Sequence, residues 1–201
     1  MSENKVKFNI CNVHYAQIVE DDTGAQSYEK PVALPGAVSI SLDPNGEPES
    51  FYADGVEYYV INNNQGYDGE LELALIPEHF RINVLKEQLD GSGVLIESAS
   101  SEAAHFALLF EFDGDAKKIR HVLYNCSVAR PTISSKTNEE SREIQTESLS
   151  LKARPLASGY VKAKTGATTN ETAFAAWYSQ VYMPTAVTTG DTTSGGTTDG
   201  E

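Results

Sequence analysis

The sequence predicts a mostly β fold of the α+β class, and three observations carry that expectation. Apolar and polar residues alternate with a period of two through most of the chain, turn dipeptides rich in Gly, Asp, Asn and Pro separate the alternating runs, and helix-like spacing appears in only two places. At 201 residues the chain suits one domain with appendages, and its size allows roughly 70% of the unfolded surface to be buried without a metal or disulfide staple.

In chain order, Val6, Phe8 and Ile10 alternate with Lys5, Lys7 and Asn9, and the phase then shifts to Cys11, Val13 and Tyr15. Such a slip predicts a bulge within one long strand. The acidic run from Glu20 to Asp22 ends it, and a polar loop extends to Pro35 and Gly36. A strand over Ala37–Leu42 stops at Pro44-Asn45-Gly46. Phe51–Ala53 and Val56–Ile61 flank Asp54-Gly55, the dipeptide that best tolerates a tight hairpin turn.

Leu71, Leu73 and Leu75 alternate with Glu70, Glu72 and Ala74, giving a strand with one buried and one wet face. Pro77 and Glu78 then suit the first turn of a helix expected to reach about Leu89, with Phe80, Val84 and Leu85 inward. Strands resume at Gly93–Glu97, at Phe106–Phe112 and, after the Asp113-Gly114-Asp115 turn, at Ile119–Ala129. Thr132–Glu143 reads as an exposed excursion, followed by strands at Leu149–Ala153 and Tyr160–Lys164. Phe174, Trp177 and Val181 predict a terminal helix over Thr172–Tyr182. The total is about eight or nine strands around one central helix. Residues 1–184 form the domain, and residues 185–201, nearly all Thr, Gly, Ser and Asp, form a tail expected to be disordered.

Charge is lopsided, with 15 Lys and Arg against 29 Asp and Glu and a formal net charge of −14. That balance opposes ordinary binding to nucleic acid or anionic membranes. No stretch reaches the roughly 18 apolar residues of a membrane span, and Met1–Lys7 lacks the apolar run of a signal peptide, so synthesis in the cytoplasm is expected. Cys11 and Cys126 lie in apolar strand-like segments and are expected to pack as reduced thiols.

Chemistry-bearing patterns are scarce. His14, His79, His105 and His121 have no metal-ligand spacing, and no nucleophile elbow or phosphate loop is present. Asp113 and Asp115 could draw a calcium ion but lack a long ligand series, so a hairpin turn is the better account. The expectation is a non-enzyme with no catalytic, cofactor or metal residues.

Several ordered segments carry a resemblance: Gly36–Gly46, Phe51–Val60, the stretch GYDGELELALIPEHFR from Gly66 to Arg81, Phe106–Asp115, Arg120–Pro131 and Gln145–Pro155. In this order and at these spacings the chain resembles the major tail protein (tail tube protein) family of siphophages over about residues 4–182. The resemblance implies a tail tube fold of two packed β-sheets with a flanking α-helix. It implies hexameric rings stacked into a tube through which phage DNA passes without specific binding. The implied partners are other copies of the chain and the tape measure, tail terminator and tail-tip proteins, in the tail of a virion, with no cofactor and no membrane. Glu70 and Glu72, on the wet face of one strand, are the candidate lumen-facing acids. The alternative is a β-sandwich binding or adhesin module, which would present aromatics in exposed loops. Against it, Phe106, Phe110, Phe112, Tyr58 and Trp177 are read as core-facing, with Tyr52, Tyr67 and Tyr160 as possible exposed rings.

Ordering each residue of the tail costs about 1–2 kcal/mol of backbone entropy, with almost no apolar surface to offset it. Truncation after Pro184 is therefore expected to leave the melting temperature and self-association unchanged, as calorimetry and sedimentation would record.

Overall fold

The computed structural model describes residues 3–22, 26–137 and 143–185. Among them the main sheet is antiparallel and runs β2 (Gln26–Tyr28), β1 (Lys7–Glu20), β10 (Phe106–Gly114), β11 (Ile119–Val128), β12 (Glu147–Ala153), β7 (Gly66–Leu73) and β4 (Ala37–Asn45). Two short strands join off this path, β3 (Val32–Ala33) on β1 and β13 (Lys162–Lys164) on β11. The mostly β reading holds. The two expected layers are two halves of one continuous sheet that curls until β4 comes back close to β1 without pairing to it.

The halves close on one core. Tyr15, Phe106, Leu108 and Phe110 from one side meet Leu71, Leu73, Leu149 and Leu151 from the other. The helix α1 (Glu78–Asn83) plugs one end with Phe80. Phe80 stands edge-on to Tyr15 at 5.0 Å and to Phe106 at 5.6 Å, the arrangement aromatic quadrupoles favour. Burying each such side chain stabilises the fold by about 1.5–3 kcal/mol.

A second, smaller core covers the opposite face of β10 and β11. There Ala107, Leu109, Val122 and Tyr124 lie under Trp177 and Val181, which follow the helix α2 (Glu171–Ala176). β10 is therefore buried on both faces from Phe106 to Glu111, where alternation alone placed only the Phe106, Leu108, Phe110 and Phe112 stripe inside.

Two polar residues shape β1. Asn9 and Asn12 take left-handed φ angles of 29° and 50°, and the pairing with β10 slips beside each. The expected bulge is thus a double one. Asn suits both positions, because its short amide tolerates positive φ. Pro44 lies inside β4, which is allowed because β4 is the sheet edge and needs no donor on its outer side.

The expected hairpin forms as β5 (Glu49–Ala53) and β6 (Val56–Ile61), with Asp54 and Gly55 at φ 53° and 77°, the signature of a type I′ turn. Its residues are not core, however. Tyr58 is 71% exposed, correcting its expected core position, and all of β6 is exposed.

Several boundaries also move. Helix α1 stops at Asn83 and not near Leu89, because Lys86 turns to φ 61° and the Glu87 N–H reaches back to the Arg81 carbonyl at 3.1 Å. Phe80, Val84 and Leu85 face the core as expected. The next residues form a small hairpin of β8 (Gln88–Leu89) and β9 (Leu95–Ile96), its turn held by Asp90 Oδ1 accepting from the N–H groups of Ser92 and Val94. Leu75, read as part of the β7 stripe, is exposed beyond the end of the strand. The terminal helix ends at Ala176, and Trp177 and Val181 still turn inward. Most of the tail from Thr185 lies outside the described residues, as does part of the 132–143 excursion.

Among the described residues the buried charged residue is Glu111, with no exposed side-chain surface. Lys118 Nζ donates to it at 2.6 Å, Asn12 Nδ2 at 2.7 Å and Arg120 Nε at 3.0 Å. Burial pushes its carboxyl up, but those three bonds together outweigh burial and hold it below the usual carboxylate range. Arg120 continues the link: its guanidinium lies over the Phe174 ring at 3.8 Å and donates to the Phe174 carbonyl, clasping α2 to the sheet. Glu111→Ala would leave the mostly buried Arg120 without its carboxylate and Lys118 with Asp113 alone, a loss on the order of 3 kcal/mol in denaturant unfolding. Trp177, the chain's one Trp, sits under the clasp, and its emission should shift red in that variant.

Candidate functional site

Strands β4, β7 and β12 pair side by side, so their outward residues form rows. Ser39, Glu72 and Ser148 make one row, Ser41, Glu70 and Ser150 the next, and Asp43, Asp68 and Lys152 the last. Leu71, Leu73, Leu149 and Leu151 occupy the alternate positions and fill the core, which fixes this register, since a one-residue slip would put Glu in the core. Glu70 and Glu72 thus share the outer face of an interior strand, as the alternation predicts.

Apart from Lys152 the face is made of short hydroxyls and acids, and its acids are held in place. Glu72 accepts from Thr146 Oγ1 at 2.6 Å and Ser39 Oγ at 2.8 Å, and these bonds, Thr146's first, keep its carboxyl ionised below the usual range. Asp68 stands opposite Asp43, a like-charge pairing that would be unfavourable alone. Arg154 at 2.5 Å and the Asn45 amide offset it and lower the Asp68 pKa in that order. Gly69 fits here because a Cβ would lie 1.9 Å from the Ser41 carbonyl oxygen, closing the approach of β4 to β7. Ser39, Ser41, Ser148 and Ser150 were not singled out from sequence. Their alternation with Ile40, Leu42, Leu149 and Leu151 was readable, but which strands lie beside β7 depends on long-range pairing.

The β5–β6 hairpin leaves the end of this same face. Phe51, Tyr52, Tyr58 and Tyr59 are between 59% and 71% exposed, and they occur on both strands. A two-stranded hairpin with no covered face is marginal by itself.

Between the halves, the core thins where Ile40, Leu42, Tyr67 and Phe112 are only partly buried, leaving a cleft of about 220 Å³. His121 lies in its wall, stacked on Phe110 at 5.0 Å with the rings 2° from parallel. At the rim, Lys7 covers the Phe112 ring at 4.7 Å and Lys162 the Tyr67 ring at 4.2 Å. Burial first, then Lys164, Lys162 and Lys7, lower the His121 pKa to about 4.

Cys11, Glu111 and Asp113 bring three ligand atoms within 4.8 Å of one another. The Lys118 ammonium already sits there, 2.6 Å from Glu111 and 3.6 Å from Asp113, and burial pushes the Cys11 thiol up, away from thiolate. This is an ion-pair cluster with its cation built in. The Asp113–Asp115 turn is occupied similarly: the Asn4 side chain accepts from the N–H groups of Ala116 and Lys117 at 2.9 and 2.8 Å, and Asp115 accepts from the Lys5 N–H. His79, on α1, meets the Tyr15 hydroxyl at 3.0 Å, a packing contact.

No protein-family model matches the sequence, and no curated protein matches it. Among solved structures, the chain is similar to the cryo-EM structure of the anti-feeding prophage cap (AFP tube terminating cap), at 12% identity and a TM-score of 0.47, over 83% of this chain and 97% of that one. A likeness this shallow supports no inference about assembly.

The His121 geometry yields a pH dependence. The folded pKa of about 4 lies below the unfolded value of about 6.5, so the unfolded chain binds the extra proton in that window. Stability should be fully present above pH 6.5 and fall toward pH 4 by about 1 kcal/mol per pH unit from this group. Glu72 and Glu111, with lowered pKa values, lose their contribution only below the ordinary carboxylate range. Melting temperatures of the wild type and His121→Phe between pH 7 and 5 should therefore diverge, with the variant flatter.

Proposed function

We propose that this chain is a non-catalytic structural subunit that self-assembles, and that its assembly is a phage tail tube of stacked hexameric rings through which DNA is ejected. The observation that carries self-assembly is the β5–β6 hairpin, with four aromatic rings exposed on a two-stranded arm that the other described residues leave uncovered. Exposed apolar area of this kind is usually covered by a partner. Among the described residues the edge of β4 is also unpaired, and closing sheets edge to edge around a ring removes such edges.

The sequence resemblance to siphophage tail tube proteins supplies the form of the assembly. Under that reading, the tape measure, terminator and tail-tip proteins are the further partners, and the tail of the virion is the location. The β4–β7–β12 face suits a lumen wall. Its residues are short, hydrated and net acidic, and Glu70 and Glu72 stand near its middle. Duplex DNA carries a charge every 1.7 Å or so, and a basic wall would hold it at each step. An acidic one repels it within a Debye length of roughly 8 Å, so DNA meets no sticking point.

A second reading rests on a specific observation too. Tyr52, Tyr58 and Tyr59 on a projecting arm could stack on sugar rings, as a β-sandwich adhesin or carbohydrate-binding module would. Binding on a glycan array with the protein remaining a monomer would favour it.

Concentrated protein is expected to sediment as large species and to form rings or tubes with a central hole in negative stain. In virions built with Glu70→Lys and Glu72→Lys together, tubes should still assemble and DNA ejection should slow several-fold. A strictly monomeric protein at high concentration, at both low and moderate salt, would contradict the proposal.

A further inference from the structure

The exposed arm and the open cleft differ in charge as they match in apolar character. Every Asp, Glu, Lys or Arg between Lys30 and Arg81 is an acid, so the β5–β6 arm carries Glu49, Asp54 and Glu57 with no base beside them. The cleft has the reverse polarity. Lys7 and Lys162 stand over rings at its rim, Lys164 lies near His121 behind them, and the floor is Phe110, Phe112 and Leu123.

We infer that the β5–β6 arm of one copy seats in the Lys7/Lys162-rimmed cleft of a second copy, inserting an aromatic ring between the sheet halves while Glu49 and Glu57 face the lysines. This deepens the self-assembly reading and rests on it. A cavity of about 150 Å³ holds a benzene ring, so a cleft of about 220 Å³ admits a phenol with room for adjustment. The four exposed aromatics of the arm present on the order of 500 Å². Phe51 pairs with Tyr59 and Tyr52 with Glu57, so the rings lie on both faces of the arm and about half of that area can meet one partner, against the roughly 800 Å² each partner contributes to a stable interface. The lysines need not move far, since a carboxylate would join ammoniums already fixed at ring faces. Arm and cleft are different patches, so the contact is head-to-tail, and repetition closes a ring or propagates a filament. Glu57, which accepts from Ser50 Oγ at 2.8 Å, is pre-positioned on the arm.

Two full-length variants test this. The arm variant is Glu49→Lys with Glu57→Lys, and the cleft variant is Lys7→Glu with Lys162→Glu. All four positions are exposed, so both should fold. In sedimentation, each alone should need at least tenfold more protein than the wild type to assemble. A 1:1 mixture should recover assembly to within about threefold of the wild type, because each variant's arm then meets a cleft of opposite charge. As an independent measurement, Tyr58→Cys and Lys162→Cys chains, each also carrying Cys11→Ser, should form a mixed disulfide between copies on oxidation. If either charge variant assembles like the wild type, or the mixture stays apart and no mixed disulfide forms, the contact is wrong while the tube reading stands. If the wild type itself never assembles, both fall.

Discussion

A fully buried carboxylate cannot stay ionised unless the chain surrounds it with donors, and Glu111 draws those donors from several distant segments. Asn12 reaches it because β1 bulges there, Lys118 and Arg120 because β10 and β11 meet in a tight turn, and Tyr178 from the segment after α2. Removing the charge would relax the reason for each of those local shapes. Through Arg120 and Phe174 the same cluster fixes the C-terminal segment over the second core, where Trp177 donates to the His121 carbonyl at 3.3 Å. β10 can then be buried on both faces, which makes β1, β10 and β11 the anchored half of the sheet.

The other half is built differently. β12, β7 and β4 have apolar residues on one side only, and the opposite side carries Ser and carboxylates in register. Among the described residues, one half of the molecule is enclosed by its own chain, and the other offers an acidic face, an unpaired edge and an aromatic arm. That asymmetry fits a subunit whose remaining contacts are made by copies of itself.

The local order was legible because it depends on neighbours in sequence. Period-two alternation placed Leu71 and Leu73 against Glu70 and Glu72, Asp54-Gly55 fixed the hairpin turn, and the phase slip after Ile10 marked the bulge. What escaped was set by distant residues. Tyr58 reads as core by its ring alone, and it is exposed because none of the described residues packs over β6. Lys86 gives no local sign that it will take a left-handed angle and end α1 early. The serines around Glu70 and Glu72 become a site only once β4 and β12 are known to flank β7. Likewise, nothing beside His121 in sequence announces Phe110, or the burial and the lysines that together keep it neutral.

The central claim is that copies of this chain form a tube with the β4–β7–β12 face turned to its hole. A cryo-EM map of the assembled protein tests it most directly. The account predicts six-fold rings in which Glu70 and Glu72 point into the channel and the β5–β6 arm lies against a neighbouring copy. A map with both glutamates on the outer wall, or a protein that remains a compact monomer at every concentration, would contradict it.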